Sequence, residues 1–223
     1  MDLIEYPDRE ILAIDLANRL TDEIGAALHH EDRVCLAVPG GTTPGPIFDD
    51  LCATDLEWDR VDVMLTDERW VPESSERSNS QLIKSRLLVN HAAAGRYLPL
   101  FAPADNPEDV LPELESMIAP ELPIDVLLLG MGADMHTASL FPGADNLTAA
   151  LDPDAPILIP MRAPGAPEPR VTLSARVLNG ALSKHLVIFG AEKRAALEKA
   201  LHLDPARAPI AAVMDEMNVH WAA

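Results

Sequence analysis

The chain has 223 residues, 48% of them hydrophobic, which is enough apolar material for the core of one α/β domain spanning residues 1–223. Its 36 acidic and 17 basic side chains give a net charge of −19, which disfavours binding to nucleic acid and to anionic membranes. No apolar run is long enough to span a membrane. Two cysteines are too few for a disulfide framework, and no secretory signal is evident, so we expect a cytoplasmic protein.

Apolar strands alternate with amphipathic helices along the sequence. The hydrophobic spacing predicts helices over 10–28, 46–52, 78–89, 105–118, 191–201 and 210–217. Strands are predicted over 33–38, 60–66, 124–130, 185–190 and 218–222. The proline-rich interval 153–169 is predicted to be an ordered loop with one candidate strand, ILIPM. This alternation favours a mostly parallel sheet with helices on both faces.

In such a sheet, ligands bind at the carboxyl ends of the strands, and the first of these ends carries the segment PGGTTPG. Gly40 and Gly41 allow a positive φ and a close approach of the backbone to a ligand. Thr42 adds a hydroxyl just before a helix, whose first amides favour an anion. The segment lacks the lysine and the spacing of a P-loop, so an ordinary tight turn is the alternative.

Three cations follow strands or loops in this acidic sequence. Arg69 comes after Asp67 at the end of a strand, and its planar guanidinium matches phosphate or carboxylate. Arg170 ends the proline-rich interval. Lys193 lies in the first turn of a predicted helix, where a cation opposes the helix dipole unless it meets an anion. The alternatives are a surface ion pair for Arg69 and a solvated side chain for Lys193.

The segment LLLGMGADMHTASLFPG presents Asp134 and His136 directly after a strand. Gly130 and Gly132 let the chain turn sharply there. An imidazole moves protons near neutral pH, and a nearby carboxylate can orient it, so the pair predicts acid–base catalysis. A structural histidine is the alternative. The other histidines are scattered, and neither a Cys–His cluster nor a GxSxG elbow occurs, so no metal site and no serine nucleophile are predicted.

Five segments together resemble the 6-phosphogluconolactonase family: PGGTTP, DERWVP with RSNSQLIKSRLL, LLLGMGADMHTASLFPG, PRVTLS and GAEKRAAL. They occur in the family's order between residue 39 and about residue 200. The resemblance implies a Rossmann-like fold similar to that of glucosamine-6-phosphate deaminase. It also implies hydrolysis of 6-phospho-D-glucono-1,5-lactone to 6-phosphogluconate in the oxidative pentose phosphate pathway.

The resemblance further implies the roles of individual residues. His136 would activate water, with Asp134 orienting it. The residues implied in substrate binding are Gly40, Gly41, Thr42, Asp67, Arg69, Gly132, Arg170 and Lys193. No metal or organic cofactor is implied, the partner is the sugar-phosphate lactone, and the chain is expected to be a monomer or a homodimer.

Two other functions fit parts of the same pattern. The deaminases share the glycine turn, an aspartate at the position of Asp67 and the Asp-x-His pair. They then carry an Asn-Glu-Pro segment whose glutamate would fall on Phe141, so the lactonase is favoured. A non-catalytic sugar-phosphate sensor is the second alternative. Its support is Met135, which stands where the lactonase pattern has glycine and which would be strained at a positive φ.

Overall fold

The computed structural model describes residues 1–223 and contains ten strands in two sheets. The strands are β1 (Asp2–Glu5), β2 (Val34–Val38), β3 (Val61–Leu65), β4 (Asp67–Arg69), β5 (Arg96–Leu98), β6 (Val126–Gly130), β7 (Leu158–Met161), β8 (Arg170–Leu173), β9 (Ser183–Phe189) and β10 (Asn218–Ala222). Seven of them form a sheet in the order β1-β10-β9-β6-β2-β3-β5, and every pairing in it is parallel. The other three form an antiparallel sheet in the order β4-β8-β7.

Seven α-helices connect the strands, and short 3-10 turns complete the connections. The helices are α1 (Arg9–Leu28), α2 (Gly45–Leu51), α3 (Asn79–Arg86), α4 (Leu111–Ile118), α5 (Leu147–Ala150), α6 (Ala175–Asn179) and α7 (Gly190–Ala200). The carboxylate of Asp8 caps α1 and the hydroxyl of Ser78 caps α3, each by accepting a bond from an amide of the first turn. None of the helices combines the length and the apolar composition that a membrane span requires.

The centre of the large sheet is buried on both faces. Every residue of β2 and β3, and the first four of β6, are buried. Because successive residues of a strand point to opposite faces, such a pattern requires cover on both sides. The predicted mostly parallel sheet with helices on both faces is therefore confirmed. The apolar core runs from Leu12 to Ala222 and encloses Cys35 and Cys52, which are both free thiols.

Two predicted helices differ from the observed ones. The helix predicted over 105–118 begins only at Leu111, and a short 3-10 turn precedes it. Pro112 lies in its first turn, where the missing N–H removes no helical hydrogen bond. The prediction of a helix over 210–217 is wrong, because the chain forms a 3-10 turn over 209–213 instead.

Among the short strands, β7 coincides with the candidate strand ILIPM, whereas β1, β4, β5 and β8 are not among the predicted strands. The strand β4 directly follows a predicted strand, and β8 begins where the proline-rich interval ends. Each has only three or four residues, too few for a period of two to be recognised. The antiparallel sheet that they build with β7 brings together two regions about a hundred residues apart in sequence. This second sheet forms one wall of the cleft described below.

A chain of buried polar groups crosses β9 and β10. The Nδ1 of His185 lies 2.9 Å from the Nε2 of His220, and the Nε2 of His185 lies 2.9 Å from a carboxylate oxygen of Glu23. The hydroxyl of Tyr6 lies 2.9 Å from the Nδ1 of His220 and donates to Asp15 over 2.6 Å. Burial, reinforced by the neighbouring His185, lowers the pKa of His220 to about 3. All four imidazole nitrogens therefore have hydrogen-bond partners.

Candidate active site

A cleft of about 240 Å³ lies where the carboxyl ends of β2, β3, β6 and β9 meet the small antiparallel sheet. This is the location that the strand-end rule predicts. Eight of the ten residues proposed from the sequence line this cleft: Gly40, Gly41, Asp67, Arg69, Gly132, His136, Arg170 and Lys193. They come from five separate segments of the chain, so the fold brings them together. The two others, Thr42 and Asp134, do not line the cleft.

The glycine turn after β2 presents Thr43 to the cleft rather than Thr42. Gly41 has a φ of +85°, in the left-handed region that glycine adopts readily. The chain thereby turns so that Thr42 is exposed and faces a neighbouring groove beside Arg9. Thr43 borders both this groove and the cleft. Thr42 therefore does not line the cleft, and its predicted role in substrate binding stays a prediction.

Asp134 lies behind His136 and holds its ring. The Oδ1 of Asp134 is 2.5 Å from the Nδ1 of His136 and also accepts a bond from the His136 amide over 3.2 Å. An ionised carboxylate can only accept, so Nδ1 is the donor and a neutral ring leaves a lone pair on Nε2. A side chain at Gly132 would collide with the imidazole, so glycine is needed there. The arrangement can take a proton through Nε2.

Met135 adopts the strained conformation that the sequence suggested. Its φ is +67°, and for a residue other than glycine this region costs about 1–2 kcal/mol. The turn is held by bonds from the amide of Met135 to the carbonyl of Gly132 and from the amide of Gly132 to the carbonyl of His136, each 3.0 Å. In addition, the amide of Ile210 donates to the carbonyl of Met135 over 3.1 Å. These contacts keep the histidine in the cleft although glycine is missing.

Arg69 and Arg170 lie directly opposite each other in the antiparallel pairing of β4 with β8. Like charges in such positions repel each other. The Nε groups of both are buried and have no acceptor, although Nη1 of Arg69 donates to the carbonyl of Arg77 over 2.9 Å. Burial lowers the pKa of Arg170, and its nearest carboxylate, on Asp67, is 3.9 Å away. Two cations with unused donors make this wall of the cleft suited to an anion.

Other cations near the cleft are bound to carboxylates elsewhere. Arg77 donates to Glu168 over 2.7 Å. Arg194 follows Lys193 on α7 but donates to Glu5 over 2.7 Å. Lys193 itself lines the cleft and has no ion pair. The cleft is therefore positively charged at three side chains even though the chain as a whole is acidic.

Two residues that sequence reasoning missed surround Asp67. The hydroxyl of Ser139 donates to the Oδ2 of Asp67 over 2.5 Å, and the side-chain amide of Asn79 donates to the Asp67 carbonyl over 3.1 Å. Asn79 also lines the cleft beside Gly40, where a Cβ would collide with its amide. The signal for Asn79 was its place at the N-terminus of a predicted helix, and Ser139 gave no signal.

Glu68 joins β4 to the start of α3. Its carboxylate is fully buried and accepts bonds from the amides of Arg69, Asn79 and Ser80 over 2.6–2.8 Å. The hydroxyls of Ser78 and Ser80 also donate to it, over 3.2 and 2.6 Å. Five donors thus satisfy a buried negative charge that no cation contacts. Glu68 fixes the backbone from which Arg69 and Asn79 reach the cleft.

Phe141 packs between the histidine and one arginine of the site. Its ring centroid is 4.3 Å from that of His136, and the guanidinium carbon of Arg170 is 5.1 Å from it. The second contact has the geometry of a cation–π interaction. The deaminase pattern would place a glutamate here, and the structure has no carboxylate in that place. No group of three or more His, Cys, Asp or Glu side chains lies close enough to hold a metal ion.

Comparisons with known proteins identify the family and the fold of the chain. The sequence matches the family described as glucosamine-6-phosphate isomerases/6-phosphogluconolactonase over residues 7–221. The 6-phosphogluconolactonase of Mesorhizobium japonicum is 43% identical over 225 residues, which cover 97% of this chain and 93% of that protein. The crystal structure of a 6-phosphogluconolactonase from Shewanella baltica has a TM-score of 0.96 at 28% identity, covering 100% of this chain and 98% of that one.

The predicted similarity to the deaminase fold is also confirmed. A monomeric glucosamine-6-phosphate deaminase has a TM-score of 0.78 at 17% identity, covering 100% of this chain and 97% of that one. At this identity the likeness concerns the fold alone. The match to the family covers nearly the whole chain, and the relative from Mesorhizobium japonicum is similar over almost its full length. The chain therefore belongs to the glucosamine-6-phosphate isomerase/6-phosphogluconolactonase family.

Proposed function

We propose that the protein is a 6-phosphogluconolactonase, a carboxylic ester hydrolase that converts 6-phospho-D-glucono-1,5-lactone to 6-phosphogluconate in the cytoplasmic pentose phosphate pathway. One observation carries the proposal: a histidine with a free Nε2 shares a cleft with three cations that have no carboxylate within hydrogen-bond distance. A phosphorylated lactone needs both features. The names of the relatives support the same activity.

His136 acts as the general base in this proposal. Its Nε2 removes a proton from water, the water oxygen bonds to the lactone carbonyl carbon, and negative charge develops on the carbonyl oxygen. The bond between that carbon and the ring oxygen then breaks, and the imidazolium returns the proton to the ring oxygen. Asp134 keeps Nδ1 protonated and stabilises the imidazolium. No metal or organic cofactor is required, because the lactone is already an activated ester.

Charge and hydrogen bonds from the rest of the cleft hold the substrate. Arg69, Arg170 and Lys193 supply positive charge for the phosphate and for the developing oxyanion. The two arginines line the cleft without a carboxylate at hydrogen-bond distance, so an anion bound there would meet their positive charge. Asp67 has one carboxylate oxygen, Oδ1, without a protein donor, and it can accept a bond from a sugar hydroxyl.

The test is a hydrolysis assay on the purified protein with freshly prepared lactone, corrected for the spontaneous rate. We expect hydrolysis well above that rate, no ammonia release from glucosamine-6-phosphate, and no change after exhaustive chelation. Ammonia release without lactone hydrolysis would instead assign the deaminase reaction. Binding of 6-phosphogluconate without turnover of either substrate would assign the sensor. Loss of activity in chelator, with recovery on adding one divalent ion, would refute the metal-free mechanism.

A further inference from the structure

The carboxylate of Asp67 lies between a hydroxyl and a guanidinium at unequal distances. Ser139 donates to Oδ2 over 2.5 Å, whereas the Nη1 of Arg170 is 3.9 Å from the same oxygen. The longer distance is beyond hydrogen-bond range. Asp67 and Arg170 are both largely buried, with side chains 9% and 13% exposed. A buried carboxylate is thus held just short of the cation with which it would be expected to pair.

Ser139 is itself firmly anchored. It is fully buried, and its amide donates to the hydroxyl of Thr172 over 3.2 Å. Thr172 lies directly opposite Asp67 in the pairing of β4 with β8. Because Ser139 follows His136 by three residues, the same loop supports the histidine and restrains the aspartate. Ser139 does not line the cleft, so it acts on the site only through Asp67.

Without this hydroxyl, the aspartate would have a closer partner available. Guanidinium and carboxylate groups form short, often bidentate hydrogen bonds at about 2.7–2.9 Å. Arg170 could reach that range after a movement of about 1 Å from its present 3.9 Å. The closed pair would neutralise Arg170 and reorient the free oxygen of Asp67. Both groups would then be less available to a ligand in the cleft.

We propose that Ser139 is a positioning residue that holds Asp67 away from Arg170, so that the guanidinium stays free to bind the anionic part of the substrate. This inference rests on the proposed function, because it assigns Arg170 to substrate binding. Neither the fold nor the contacts that hold His136 require this role of Ser139. Ser139 neither attacks the substrate nor contacts it.

The first test is Ser139→Ala, measured by steady-state kinetics and by competitive inhibition with inorganic phosphate. We expect the KM for the lactone and the phosphate inhibition constant to rise together, each on the order of 10-fold, the worth of one charge-assisted hydrogen bond. The kcat should change less, since His136 is not altered. Ser174→Ala is the matched control, because Ser174 is also fully buried and its hydroxyl has no partner. That variant should show neither change.

A double variant separates positioning from a general structural effect. In an Asp67→Asn background the neutral amide attracts Arg170 far less, so Ser139→Ala should then raise KM by less than about 2-fold. An equal rise in both backgrounds would overturn the proposal. Should the alanine variant fail to fold, Ser139→Cys keeps the size with a weaker donor and should raise KM by a smaller factor.

The outcomes also distinguish this inference from the proposed function. If the unaltered protein hydrolyses the lactone and Arg170→Ala weakens binding, but Ser139→Ala leaves KM and phosphate inhibition unchanged, then only the role of Ser139 is wrong. If the unaltered protein does not hydrolyse the lactone, the proposed function is wrong. In that case the role of Ser139 is tested by calorimetry instead of inhibition. Ser139→Ala should then bind inorganic phosphate with a higher dissociation constant than the unaltered protein.

Discussion

His136 and the pair formed by His185 and His220 lie in one protein but in opposite environments. His185 and His220 are 1% and 0% exposed, and each of their ring nitrogens has a hydrogen-bond partner. The side chain of His136 is 30% exposed, and only its Nδ1 is engaged. Buried polar groups that are fully paired make a core rigid and specific. A nitrogen left free at the edge of a cleft is available for proton transfer.

The arginines show the same contrast. Arg33 and Arg96 both clamp the buried carboxylate of Asp62 through two hydrogen bonds each, over 2.5–2.9 Å. Arg69 and Arg170 have no carboxylate within hydrogen-bond distance. The first set ties strands together, whereas the second lines the cleft without such a partner. Which arginines lack a carboxylate partner therefore indicates the site better than residue type alone does.

The largest effect is expected when the free imidazole is removed. His136→Ala should lower kcat by about 10²–10⁴-fold, the usual contribution of a general base, with the fold intact. Steady-state kinetics and a circular-dichroism melt measure the two properties. His202→Ala, which removes an exposed histidine, is the control and should behave like the parent. Near-full activity of His136→Ala would place the base elsewhere, with Asp67 as the next candidate.

A smaller effect is expected at the unpaired arginines. Arg170→Ala should weaken binding of lactone and of inorganic phosphate by about 1.5–3 kcal/mol, the value of a charge-assisted hydrogen bond. The measurements are KM and the phosphate inhibition constant. Arg162→Ala provides a matched loss of charge, since Arg162 pairs with Glu108 and does not line the cleft. Equal binding constants in the two variants would contradict the assignment of Arg170.

The paired histidines should affect stability instead of activity. The pKa of His220 is about 3 in the folded protein, below its ordinary value of 6.5. Between these two pH values the unfolded chain therefore binds more protons than the folded protein. Above about pH 6.5 His220 therefore leaves the free energy of unfolding unchanged. Between pH 6.5 and 5 it lowers that free energy by about 1.5 kcal/mol. Tyr6, Asp15, Arg19 and Glu23 face the same network and set its local charge.

Urea unfolding of the parent and of His220→Asn at both pH values isolates this effect. The asparagine variant is less stable overall, but the part of the pH dependence due to His220 should be absent. The difference between the two proteins should thus shrink by about 1.5 kcal/mol on going to pH 5. If the difference in free energy of unfolding stays constant, then His220 does not take up a proton selectively in the unfolded chain between pH 6.5 and 5.

The smallest effect concerns the turn that carries His136. Met135 has a φ of +67°, and alanine at this position keeps the strain whereas glycine relieves it. The free energy of unfolding of Met135→Gly should therefore be about 1 kcal/mol higher than that of Met135→Ala. Both variants lose the packing of the methionine, and this makes them a matched pair. The kcat of Met135→Gly should stay within a few-fold of the parent. A large gain in rate would mean that Met135 displaces His136 from its productive position.

The sequence was sufficient where a single segment carries the information. The long helix at 9–28 and the central strands were predicted because their hydrophobic periods extend over many residues. The strand-end rule located His136 and the cations without any contact being known. The sequence did not indicate that Thr43 lines the cleft and Thr42 does not, because the conformation of one glycine turn decides which threonine faces it. Ser139 could not be found, since its role depends on Asp67, a residue 72 positions away in sequence.

Glu68 has a consequence for the motions of the site. Its carboxylate accepts the amides of Arg69, Asn79 and Ser80, which belong to two different elements of the fold. The amides of Asn79 and Ser80 lie at the start of α3, whereas their acceptor is anchored in β4, so both are released when the start of α3 moves away from β4. Their hydrogen–deuterium exchange should therefore be slow and should occur in one cooperative opening that separates β4 from α3. The exchange rate of these two amides reports how often β4, which carries Arg69, separates from α3.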